Sequence, residues 1–199
     1  MRTLTKRWAR RHPWTTCLLW LLSGSRLFAV CDPSDNVHWR TGFHPPGFDK
    51  EVTALAVYND HLVAAGLFSL VGPVNANRVA ILENTSEWEE PGGGLGRDGV
   101  GPSAVTVFNG ELVVAGSFSE AGTVGVGNIA TWDGERWDSL GSLNGLVQCL
   151  AVYRGSLIAA GYFNQADGIP VNGIARWDGQ VWSALGMGLT GVGDGAHAI

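Results

Sequence analysis

Charge is scarce in this sequence, with Asp, Glu, Lys and Arg making up 16% of its 199 residues. With 45% of its residues apolar it is no disordered chain, which would carry more charge and bury less. Cysteine is scarce too: Cys17, Cys31 and Cys149 are too few for a disulfide-stapled scaffold. The apolar run Thr15–Leu22 falls well short of the roughly 20 residues that a membrane-spanning helix needs. What is abundant is glycine, 29 residues, together with nine tryptophans. Helical bundles hold far fewer glycines, and collagen requires them in strict period, which is absent here. Glycine and tryptophan enriched together point to short strands joined by tight turns.

The net charge of −5 conceals two unlike segments. Residues 1–31 hold six basic side chains and no acidic one, whereas residues 32–199 hold 7 basic and 18 acidic, a net −11. The basic stretch Arg2–Arg11, the apolar run and the small residues Ser23-Gly24-Ser25 together read as an export signal, residues 1–25, with residue 30 as the latest cleavage boundary. An uncleaved membrane-anchoring tail is the alternative; lipidation at Cys31 is disfavoured by Val30, which stands where a small residue is wanted. Residues 26–51 are expected to be a linker, or a strand that completes a further unit. The acidic remainder lacks the cationic face that nucleic acid requires.

Three segments align in register: Val52–Phe68, Pro102–Phe118 and Val147–Phe163. Val57, Val107 and Val152 correspond, as do Leu62, Leu112 and Leu157, then Gly66, Gly116 and Gly161, spaced 50 and 45 residues apart. Downstream, Ala80, Ala130 and Ala175 match, followed by Trp88, Trp137 and Trp182. Each unit carries four strand signals. The first ends at Asn59-Asp60, Asn109-Gly110 or Arg154-Gly155, turn pairs suited to positive φ, and the second closes with Ala-Gly-x-Phe, whose glycine suits a bulge or close backbone packing. A polar, Gly-rich loop leads to a third strand, and Asp133-Gly134 or Asp178-Gly179 turns the chain into a fourth around its tryptophan. Unit one has Asn84-Thr85-Ser86 instead, a looser turn and also a glycosylation sequon.

Four strands repeated every 45–50 residues predict an all-β fold, a β-propeller, because a four-stranded sheet buries both faces only by stacking on neighbours. The blades are expected at 52–101, 102–146 and 147–195, with residues 196–199 starting a fourth. Propellers close with about four to eight blades. Three make an incomplete ring, so a fragment of a longer product is expected, with a truncated reading frame or an oligomeric ring as the alternatives. The phrase Asn-x-Ile-Ala-x-Trp-Asp-Gly-x-x-Trp-x-x-Leu-Gly, found over Asn128–Gly141 (without the first spacer) and Asn172–Gly186, resembles the delta-60/kelch-like β-propeller repeats. These are similar to repeats of large exported bacterial proteins and fungal cortical markers. The resemblance covers residues 52–199 and implies a surface or secreted propeller; its motif is structural and brings no catalytic residues.

Signals for chemistry are weak. Gly94–Gly99 matches G-x-G-x-x-G, yet another strand signal follows it where a helix is needed. Gly93–Asp98 matches one calcium nonapeptide, half a site. His12, His38, His44, His61 and His197 are scattered without metal-ligand spacing. Asp133, Asp138 and Asp178 read as turn or strand-end acids ahead of a glycosidase pair, and Cys149 as a small core residue not paired with Cys31. No catalytic, cofactor-binding or metal-binding residue is expected. The chain reads as an exported, non-enzymatic structural or binding module, secreted or on the cell surface, meeting protein or carbohydrate through the loops Val71–Asn77, Gly122–Gly127 and Gly168–Asn172. The alternative is the N-terminal part of a secreted propeller enzyme or carbohydrate-binding protein.

Overall fold

The computed structural model describes residues 47–189, which are all-β apart from a 3-10 turn at Pro91–Gly93. The export signal, Cys17, Cys31, His12, His38, His44, His197 and the start of a fourth unit lie outside the described residues. The first sheet joins β1 (Val52–Tyr58), β2 (His61–Gly66), β5 (Val79–Leu82) and β6 (Trp88–Glu89) in that order, with a small hairpin of β3 (Leu70–Val71) and β4 (Val74–Asn75) between its second and third strands. The second sheet repeats this with β7 (Gly101–Phe108), β8 (Glu111–Ser117), β11 (Ile129–Trp132) and β12 (Trp137–Ser139), and the hairpin β9 (Glu120–Ala121)–β10 (Val124–Gly125). The third joins β13 (Leu146–Tyr153), β14 (Ser156–Tyr162), β17 (Ile174–Trp177) and β18 (Trp182–Ala184), with β15 (Gln165–Ala166)–β16 (Ile169–Pro170) as its hairpin. All pairings between these strands are antiparallel; the isolated bridge Gly127–Ser142 is parallel.

The turns follow from residue chemistry. Asn109 and Gly110 have φ of 52° and 85°, Asn59 and Asp60 48° and 65°, the left-handed pair that a two-residue hairpin needs. Each first strand is bulged near its start, between Val52 and Ala54, Pro102 and Ala104, and Val147 and Cys149. Opposite each bulge stands the second-strand glycine. A Cβ on Gly116 would lie 2.2 Å from the Gly101 carbonyl oxygen, so only glycine lets the bulged backbone approach.

Second strands are apolar on both sides because they are covered on both sides. In β8, Leu112 and Val114 face the first sheet, while Val113 and Ala115 face the third. Tyr58, Val63, Val79, Trp132 and Trp137 fill the layer between sheets one and two. Phe108, Ile129, Leu157, Ala175 and Trp182 fill the layer between sheets two and three. The sheets meet most closely along their first strands, β1 against β7 and β7 against β13. There Thr53 Oγ1 donates to the Pro102 carbonyl at 2.7 Å, and Ser103 Oγ to that of Val147. At the other margin, Trp137 Nε1 donates to the Pro91 carbonyl at 2.8 Å and Trp182 Nε1 to that of Leu140 at 2.7 Å. Each pair of neighbouring sheets is thus joined by a hydroxyl at one margin and an indole at the other.

Several details depart from the sequence reading. The second strands end at the glycine in the first unit and one residue past it in the others, and Phe68, Phe118 and Phe163 lie beyond them, buried. The Gly-rich loops contain the three small hairpins, whose two-residue strands are too short to show a period. The first unit's outer turn is one residue longer, closing Glu83 N–H on the Glu87 carbonyl where Asp133 closes on Arg136. Gly116→Ala is expected to cost about 2 kcal/mol in a urea titration through this clash. Gly125→Ala, with open space at its Cβ, should stay within about 0.5 kcal/mol of wild type. Equal effects would show that the bulge does not demand glycine.

Candidate functional site

The three small hairpins form the best-defined polar feature outside the sheets. Each is tied to the segment before its own first strand by an antiparallel bridge: Phe48 with Val71, Leu95 with Ala121, Leu143 with Ala166. A backbone bond repeats at the same place, from Gly72 N to Gly47 O, Gly122 N to Gly94 O and Asp167 N to Ser142 O, at 3.0, 2.8 and 2.8 Å. A side-chain acceptor then fixes the hairpin's entry. Asp49 Oδ1 accepts from the Ser69 and Leu70 N–H groups, and Asn144 Oδ1 from those of Asn164 and Gln165. In the second unit Asp98 takes this part with Ser119. The exposed tips, Gly72-Pro73, Thr123 and Asp167-Gly168, therefore stand on rigid supports in equivalent places on each sheet. These supporting residues escape a sequence reading because they precede the first strand and sit about 20 positions from the hairpins that they hold.

The residues singled out as possible chemistry disperse. Asp133 Oδ1 accepts the Glu135 and Arg136 N–H groups, and Asp178 Oδ1 those of Gln180 and Val181, so each caps its own turn. The Glu135 and Arg136 amides hold the Asp133 carboxyl below the usual carboxylate range, and the Val181 and Gln180 amides do the same for Asp178. A general acid requires the opposite displacement. Asp138 Oδ1 accepts from the Ser139 N–H. His61 Nδ1 lies 3.1 Å from the Leu82 carbonyl oxygen, and Asn84 is exposed, its Nδ2 engaged with Glu87. Cys149 is buried at 3.8 Å from the Ala160 carbonyl oxygen, and burial raises its thiol pKa. In Gly94–Gly99, Leu95 N–H donates to the Asn77 carbonyl and Gly96 N–H to that of Glu120, which ties the segment into packing. Among the described residues no group of three or more His, Cys, Asp or Glu side chains is placed to hold a metal ion. No helix among them is long and apolar enough to cross a membrane.

No protein-family model matches this chain, and no curated protein matches it in sequence.

The turn aspartates set an acid limb. Asp49 is held low by the Leu70 and Ser69 amides, as Asp133 and Asp178 are by theirs. A depressed folded pKa contributes stability that is present above the unfolded value near 4 and lost as pH falls through the folded value. Thermal stability should therefore hold from about pH 7 to 5 and fall below about pH 4. The triple substitution Asp49→Ala, Asp133→Ala, Asp178→Ala should flatten that fall, as read by melting temperature against pH. An unchanged acid limb would remove these caps from the account.

Proposed function

We propose that this chain is part of an exported β-propeller, a non-enzymatic module that serves as structure or binds protein or carbohydrate through the hairpin side of its blades. The observation that carries the reading is the stacking of three like meanders, closest along their first strands and bridged at the opposite margin by tryptophan indoles. Sheets that converge on one margin fan about an axis, which is propeller geometry. The blade boundaries proposed from the repeat, 52–101, 102–146 and 147–195, run within one residue of the starts of the second and third sheets, at Gly101 and Leu146. Rigid, backbone-pinned hairpins with exposed tips suit recognition, since little ordering entropy is spent on binding. Export rests on the basic, apolar and small-residue succession of residues 1–25, and a secreted or cell-surface location follows from it.

Two measurements test this. Spin labels at Asn59 and Arg154, on first-hairpin turns, should lie closer together than labels at Ser86 and Gln180, on outer turns. Equal separations would give a parallel stack and sink the propeller. In a screen of polysaccharides, saturable retention without new reducing ends is expected. Release of reducing ends that disappears with Asp133→Ala or Asp178→Ala would make the chain a hydrolase.

A further inference from the structure

The open face of the third sheet carries two arginines where the other sheets carry uncharged residues. On sheets one and two this face is covered, and Ile81 and Thr131 are buried in it opposite Val63 and Val113. The matching residue on sheet three is Arg176, opposite Ile158 and exposed. Arg154 in turn occupies the turn position of Asn59 and Asn109, all three at positive φ. Residues 32–199 hold only seven basic side chains, and these two border one apolar concavity of about 550 Å³. Ile158, Ile174 and Leu185 form its apolar wall, and no acidic residue lines it. Both guanidiniums are held in place. That of Arg154 lies over the Tyr153 ring, 5.2 Å from its centroid, and Arg176 Nε donates to the buried Ser156 Oγ at 2.9 Å. Neither forms an ion pair among the described residues, and Asp178, two residues beyond Arg176, has its Oδ1 taken by the Gln180 and Val181 amides. A guanidinium is a planar fork matched to the two oxygens of a carboxylate.

We propose that this concavity binds a small apolar carboxylic acid as its anion, the head taken by Arg154 and Arg176 and the hydrocarbon body lying against Ile158, Ile174 and Leu185. Its volume is that of ordinary small-molecule sites, about 300–1,000 Å³. A second copy of the chain meets the two charges less well. The outer face of its first sheet presents Leu55, Val57 and Leu62, exposed and aliphatic, which would take both guanidiniums out of water without an anion. The face that sheet two turns to sheet one is of the same kind, with Val105, Val107 and Leu112. The site is independent of the propeller reading, which concerns the angle between sheets and the hairpin tips.

The test is a calorimetric titration of the chain with decanoate, with decanol (body without charge) and acetate (charge without body) as controls. Decanoate should bind saturably, one to one, and at least about tenfold more tightly than either control, as charge-assisted hydrogen bonds on an apolar floor imply. Bound decanoate should slow the nitration of Tyr153, which is 60% exposed, and spare Tyr162 at the opposite end of the same sheet. Arg154→Asn combined with Arg176→Thr gives this face the residues of the second sheet, Asn109 and Thr131. The melting temperature should then stay unchanged while decanoate affinity falls to that of decanol. Equal affinity for decanoate and either control overturns the proposal, as does decanoate binding that survives the double substitution. So does a dimer of the unliganded chain in which Tyr153 resists nitration, since the face would then belong to a second copy. The comparison with the controls and the Tyr153 nitration need no substitution, so they decide the matter should the variant not fold.

Discussion

A four-stranded sheet with apolar residues on both faces has no stable existence alone, and this requirement organises everything else in the chain. The buried runs of β2, β8 and β14 make sense only between neighbours: Leu112 and Val114 serve one partner, Val113 and Ala115 the other. Hydrophobic burial is non-directional and does not by itself fix how two sheets lie. The directional part comes from the hydrogen bonds at the margins. Thr53 and Ser103 hold the first strands close, where a hydroxyl is long enough to cross. Trp137 and Trp182 hold the outer strands, where only an indole combines the reach, the apolar body and the single donor. On the proposed propeller reading, the different lengths of these two bridges would set a wedge between neighbouring sheets.

The same economy explains why the site candidates dissolve. An acidic residue in a two-residue gap between strands finds amides before it finds a substrate. Asp133 and Asp178 are spent on their turns, and Asp49 and Asn144 on the entry to a hairpin. The recognition surface proposed above is what these caps hold in place, the tips of β3–β4, β9–β10 and β15–β16. Recognition by such a rim needs no perturbed side chain, and so it leaves no pKa signature in the sequence or the fold.

Much of the architecture was legible because it is local or periodic. Asn109-Gly110 announces a hairpin through its own backbone preference, and Gly66, Gly116 and Gly161 mark the bulges because no Cβ fits there. The tryptophans were legible as packing but not as donors, since the acceptors Pro91 and Leu140 lie more than 40 residues away. The small hairpins were not legible. Their strands are two residues long, and their stability comes from Phe48, Leu95 and Leu143, which look like loop residues until the bridges are seen. At the candidate site, the loops chosen from the repeat contain the first two hairpin tips and half of the third, missing Asp167, while the Asp and Asn caps that hold them carry no signal in the repeat.

The first sheet shows how strictly the repeat is specified by its neighbours rather than by its own residues. It has lost the Trp-Asp-Gly turn, gained a residue at Glu83–Glu87, and replaced the positive-φ Asn128 with Arg78, at φ 66°. Arginine is a costly residue in that conformation. Its guanidinium offsets the cost by donating to the Arg97 and Asp98 carbonyls, on the segment that leads into the second sheet. Asn128 does the same work with its amide, donating to the Leu143 carbonyl on the way to the third. Two unlike side chains thus meet one demand, the tethering of the connection between sheets. What the repeat conserves in this chain is therefore the set of contacts across each interface, and the residue types vary wherever another donor of sufficient reach can make them.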